Sequence, residues 1–170
     1  MHPKIYKDRT DIIDIIDKCV DLLYSSNTVE DYQQAINSYR QAIMLKPDFA
    51  EVYNNMGISF KFQGKLQMAI ESYQKAINVK ADFAEAYYNM GVDLKSLGDL
   101  PKSKKAYSQA IKIKPDYAQA YNNLGNIFNA EEEFALALKH FKKALKIKPN
   151  YFEAYNNLAN TLNVLGDIDG

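Results

Sequence analysis

The segment Ala-Glu-Val-Tyr-Asn-Asn-Met, followed by Gly57, opens at Ala50 and returns as close variants from Ala84 and Ala118, then from Phe152 as Phe-Glu-Ala-Tyr-Asn-Asn-Leu. Each return comes after 34 residues. A fixed long period means that one supersecondary unit is copied along the chain. Each copy must bury its apolar face against its neighbours, so the period dictates a solenoid.

Within a copy, apolar residues fall at helical spacing in two stretches. Tyr53, Met56, Gly57 and Phe60 mark one face of a first helix. Gly64 follows, able to supply the left-handed residue that closes a helix, and Gly98 and Gly166 stand at equivalent places. Leu66, Ala69, Ile70, Tyr73, Ala76 and Ile77 form the stripe of a second helix, in which small Ala69 and Ala76 allow close approach and Tyr73 fills the space between backbones. Pro47, Pro115 and Pro149 end the second helices. Ala81 takes that place once, which predicts a softer joint. The expected fold is all-α, a solenoid of antiparallel helix pairs.

An aromatic, then Leu-Gly, an aromatic, Ala, an aromatic, Ala and a closing Pro is the pattern of tetratricopeptide repeats, and the chain resembles that family. The resemblance implies a right-handed superhelical array. Residues 50–83, 84–117 and 118–151 read as full repeats, 11–49 as a diverged repeat, 152–170 as a truncated repeat with a first helix only, and 1–10 as an N-terminal extension. The diverged repeat keeps Ala35, Tyr39, Ala42 and Pro47 in its second helix. Its first helix, Asp11 to Tyr24, carries a stripe of Ile12, Ile15, Ile16, Cys19, Leu22 and Leu23 without the Tyr-x-x-Leu-Gly core. Glu132 replaces the turn Gly, where a left-handed residue costs about 1 kcal/mol more than Gly, so a differently built turn is expected there. Pro101 is harmless in a first helical turn, and Ser103 replaces a close-packing Ala.

Twenty-one Lys and Arg balance 21 Asp and Glu, so no global charge recruits nucleic acid. Residues 101–170 nevertheless hold ten Lys, mostly on second helices, which read either as a basic patch or as a solvated outer face. Cys19 is the only cysteine, which rules out an internal disulfide and suits a reducing, cytoplasmic setting. The first residues lack a signal peptide, and no run approaches the roughly 18 apolar residues of a membrane helix. His2 and His140 have no sequence partner resembling a ligand set or a nucleophile with its base. Asp11, Asp14, Asp17 and Asp21 lack the Gly-centred loop of a cation site and read as a wet helix face. No catalytic group, metal or cofactor is expected, and the chain is not read as an enzyme.

Function then rests on the surface of the array, whose first helices line a groove. Asn55, Asn89, Asn123 and Asn157 stand two residues after each Tyr, preceded by Asn54, Tyr88, Asn122 and Asn156. An amide both donates and accepts, so it can satisfy the backbone of an extended peptide without selecting side chains. Helices roughly 8 to 10 Å apart against a strand advancing about 3.3 Å per residue would bring successive Asn to every third peptide residue. Tyr88 offers an aromatic wall, and Asn126 extends the polar floor where Ile58 and Val92 are apolar. Glu51, Glu85 and Glu153 add an acidic edge. The expected partner is therefore a protein or peptide held by Asn54, Asn55, Tyr88, Asn89, Asn122, Asn123, Asn126, Asn156 and Asn157.

Tetratricopeptide co-chaperones clamp a C-terminal carboxylate with Lys, Asn and Arg, whereas the matching positions here are Asn54, Ile58, Asn89, Gln119 and Asn123. Only Asn89 fits, and without cations such a clamp is not expected. The Asn row is instead similar to the ladder in the tetratricopeptide arm of O-linked N-acetylglucosamine transferases, which implies a second reading as the substrate-recruiting arm of a larger modifying enzyme. Leu158, Leu162 and Leu165 lack a following second helix, so the chain reads as a piece of a longer protein. The alternative is a scaffold that self-associates through this uncapped C-terminal end.

Overall fold

Eight helices and no strand make up the described part of the chain, residues 28–168 of a computed structural model. They are α1 (Val29–Leu45), α2 (Ala50–Phe62), α3 (Leu66–Val79), α4 (Ala84–Ser96), α5 (Leu100–Ile113), α6 (Ala118–Ala130), α7 (Phe134–Ile147) and α8 (Phe152–Ile168). The helix expected over residues 11–24, with Cys19 and the four Asp, lies outside the described residues, as do His2 and the extension 1–10. The chain divides between Asp93 and Leu94, inside α4, into two compact units.

In the first unit α2 packs against α3 and α1. The predicted stripe is what meets: Ala69 and Tyr73 of α3 are wholly buried with Val52, Met56 and Phe60 of α2 and Ala35, Ile36 and Tyr39 of α1, and Ala76 is buried with Ala50, Ile77, Phe83 and Ala86. Gly57 is required by contact, because a Cβ there would stand 2.5 Å from Tyr73 Cε1. In the second unit α6 packs against α7 and α5, and α7 against α8. The same close approach recurs, with the Phe141 ring 2.6 Å from where a Cβ on Gly125 would be. Ser103 is buried at the site of the missing Ala.

The turns between first and second helices share one geometry. Gly64 and Gly98 are left-handed (φ 74° and 81°), and the following amide bonds back to the helix, Lys65 N to Phe60 O and Asp99 N to Leu94 O, both 2.9 Å. Glu132 adopts the same conformation (φ 60°), and Glu133 N reaches Phe128 O at 2.9 Å. The expectation of a differently built turn is therefore corrected: two helix-closing bonds and the flanking packing hold a non-glycine residue in the left-handed region. Gly166 departs the other way, since α8 runs through it to Ile168. Glycine permits a left-handed turn without imposing one.

The joints after second helices are also uniform. Lys46, Lys80, Lys114 and Lys148 cap α1, α3, α5 and α7, each donating its backbone N–H to an Ala four residues earlier. Their ammonium groups sit over the ring three residues on, at 4.8 Å (Phe49), 5.1 Å (Phe83), 4.9 Å (Tyr117) and 5.0 Å (Tyr151). The joint holding Ala81 keeps this geometry. At the start of α1 a capping box links Thr28 and Asp31, and at α5 the Asp99 side chain accepts from Lys102 N with Pro101 in the first turn.

Candidate functional site

The first helices α2 and α4 place Asn54 against Asn89, and α6 and α8 repeat the arrangement with Asn122 against Asn157. Asn89 Nδ2 donates to Asn54 Oδ1 at 3.0 Å, and Asn157 Nδ2 to Asn122 Oδ1 at 3.0 Å. Asn54 and Asn122 are 5% and 0% exposed, so these two are bridges between helices. Asn54 also donates to Asn55 Oδ1 (3.4 Å) and Asn122 to Glu153 Oε1 (2.9 Å). A buried amide loses its water and must recover those bonds from neighbours, which fixes the relative height of adjacent helices.

The remaining residues of the expected row are more open. Asn55, Tyr88, Asn89, Asn123, Asn126 and Asn157 are half-buried and Asn156 is exposed. Asn123 Nδ2 donates to the Tyr107 hydroxyl at 3.3 Å. The acidic edge is partly engaged, Glu51 by Lys80 at 3.3 Å and Glu153 by Asn122 and the Tyr151 hydroxyl.

A second polar rung, missed in the sequence, links the other end of these helices. Thr161 donates to Asn129 Oδ1 at 2.7 Å in the second unit, and Asp93 lies 3.6 Å from Lys61 Nζ in the first. Asp93 is fully buried, and neither carboxylate oxygen has a hydrogen-bond partner; the Tyr73 hydroxyl and Ser59 Oγ are also unsatisfied. Burial pushes the Asp93 carboxyl above its ordinary range, with Lys61 opposing. Burial and the neighbouring Asp93 push the Tyr73 hydroxyl up. The available signal was positional, since Ser59, Ile127 and Thr161 occupy the equivalent places and Asp93 alone is charged.

His140 is half-buried on α7, its Nδ1 bonded to Leu136 O at 2.8 Å and its ring 5.0 Å from Phe128. Burial pushes its pKa down, so the ring is neutral at pH 7. Among the described residues no cluster of His, Cys, Asp and Glu could hold a metal ion, and no helix is long and apolar enough to cross a membrane. What the Asn-bearing faces offer chemically is paired hydrogen-bond donation and acceptance.

Sequence profiles described as tetratricopeptide repeat match residues 118–151 and 140–170, and one described as TPR repeat matches 30–64, 60–92 and 93–130. No curated protein sequence matches. Among solved structures, MamA is 26% identical with a TM-score of 0.75, over 95% of this chain and 87% of that one. The first TPR of Spaghetti (RPAP3), solved with the HSP90 peptide SRMEEVD, is 25% identical with a TM-score of 0.67, over 69% of this chain and 93% of that one. Pseudomonas aeruginosa pilF shares the fold at 19% identity, with a TM-score of 0.81 over 92% of this chain and 72% of that one.

Proposed function

The chain belongs to the tetratricopeptide repeat family, and we propose that it is a protein-interaction module that holds an extended peptide segment along the Asn-bearing faces of its first helices. The observation that carries this reading is the fixed orientation of Asn89 and Asn157. Each commits one amide hydrogen to a buried Asn, which leaves a carbonyl oxygen and a second hydrogen oriented in advance. Preorganised donors and acceptors lower the entropy lost on binding. Asn54 and Asn122 act from behind as positioning residues, while Asn55, Asn89, Tyr88 and Asn123, Asn126, Asn156, Asn157 meet the ligand within their own units. The peptide bound to the RPAP3 repeat supports the ligand class.

The test is binding of a neutral, unstructured peptide library to wild type and to Asn55→Ala/Asn89→Ala, with melting curves showing matched folding. Loss of binding in the variant is expected. Undiminished binding overturns the reading.

One observation favours self-assembly as a second reading: on one side of α8, Phe152, Tyr155 and Leu162 are 78%, 48% and 47% exposed. Sedimentation of wild type and Tyr155→Ser/Leu162→Ser separates the two, since assembly through this face predicts a concentration-dependent oligomer that the variant loses.

A further inference from the structure

Lys139, Lys142, Lys143 and Lys146 run along α7 at spacings of three and four residues, and no acidic residue occurs between Phe134 and Ile147. Like charges so placed on a helix repel one another. None of the ion pairs among the described residues involves these four. Of the three acids that precede α7, Glu131 and Glu133 are engaged by Lys104. By contrast, α5 carries as many Lys, yet Lys102 pairs with Asp99 at 2.8 Å and Lys104 with Glu131. The charge of α7 thus stands uncompensated in the fold.

It also surrounds a depression. Tyr121, His140 and the four Lys line a groove of about 390 Å³. The Tyr121 ring lies 5.9 Å from Lys143 Nζ, and the His140 ring packs between Tyr121 and Phe128, at 6.0 and 5.0 Å. Cations around an aromatic floor recognise carboxylates flanking a bulky side chain.

We propose that this groove docks an acidic segment of a partner protein, with carboxylates on Lys139, Lys142, Lys143 and Lys146 and one aromatic or apolar side chain against Tyr121. The site is separate from the Asn-bearing face of its own unit, since no Asn of α6 or α8 lines the groove. The four Lys span residues 139–146, about 11 Å along the axis of α7, and Glu131, Glu132 and Glu133 precede the helix in sequence. A short acidic peptide is matched by four Lys over that length, whereas a duplex or a bilayer presents a longer run of phosphates than four Lys can meet.

The probe is a fluorescein-labelled peptide Glu-Asp-Glu-Phe-Glu-Asp-Glu, compared with its Gln/Asn counterpart by fluorescence anisotropy. Lys142→Gln/Lys143→Gln/Lys146→Gln removes charge from α7, and Lys102→Gln/Lys105→Gln/Lys112→Gln removes the same charge from α5. Both variants are checked by thermal melts. The expected result is salt-sensitive binding of the acidic peptide, weakened about tenfold by the α7 variant, as three exposed ion pairs would give, and changed less than about twofold by the α5 variant. Binding no tighter than that of the neutral peptide overturns the proposal. So does equal loss in both variants, or equal binding of a single-stranded oligonucleotide of the same charge, which would mark a general polyanion surface.

Discussion

Asn89 hands one amide hydrogen to Asn54 across 3.0 Å, and 68 residues later Asn157 does the same to Asn122. The same bond appears in both units because the repeat places one Asn at the fifth position of a first helix and another at the sixth position of the next. Asn122 is the more deeply committed, wholly buried and bonded on both sides by Asn157 and Glu153.

Asn122→Ala strands two partners and should destabilise the protein by about 1–3 kcal/mol in chemical denaturation. Its neighbour in the following repeat, exposed Asn156, should change stability by less than about 0.5 kcal/mol on the same substitution.

At Gly57 and Gly125 the predicted effect is steric. An alanine methyl would meet the Tyr73 ring at 2.5 Å and the Phe141 ring at 2.6 Å, and both rings are pinned in the core. Either Gly→Ala change should cost about 1–3 kcal/mol. Combining Gly57→Ala with Tyr73→Leu should be less damaging than the sum of the two single changes, which a double-mutant cycle reads directly.

How far the chain could be read beforehand depends on which contacts set each feature. The small residues and the aromatic of each second helix announced the packing, because Ala69, Tyr73 and Ala76 repeat at the period of the fold. Adjacent residues on a helix, however, point about 100° apart. Whether Asn54 or Asn55 turns inward is decided by how two helices pack, so the row is uniform in sequence and divides into bridges and open amides in space. Asp93 is hidden from a sequence reading for the same reason: its neighbours Lys61 and Tyr73 lie on other helices. At Glu132 the local preference was read correctly and then overridden by the bonds that close α6.

That override is itself measurable. Glu132→Gly should stabilise the second unit by about 0.5–1 kcal/mol, the left-handed strain relieved less the entropy of glycine. Ala81→Pro should add about 0.4–1 kcal/mol, since Lys80 is already extended as a residue before proline must be. A lower melting temperature for either variant would contradict the geometry.

Asp93 predicts a pH dependence. Its folded pKa is raised above the unfolded value, so the folded state holds the proton more tightly, and its contribution to stability falls as pH rises from the ordinary carboxylate range through the folded pKa. At pH 7 Asp93→Asn should be more stable than wild type by about 1–3 kcal/mol. That advantage should shrink as pH is lowered and wild-type Asp93 takes up its proton. Denaturation midpoints of both proteins across the acid range check the sign, and an advantage that grows on acidification would refute it.

The central claim, that an extended peptide lies along the Asn-bearing faces, is tested most directly by side-chain amide NMR of the chain titrated with a neutral peptide selected from a library. The account predicts that the NH2 resonances of Asn55, Asn89, Asn123 and Asn157 shift with the peptide while the outer faces of α3, α5 and α7 stay unchanged. Shifts confined to those outer faces, with the Asn resonances still, would contradict it.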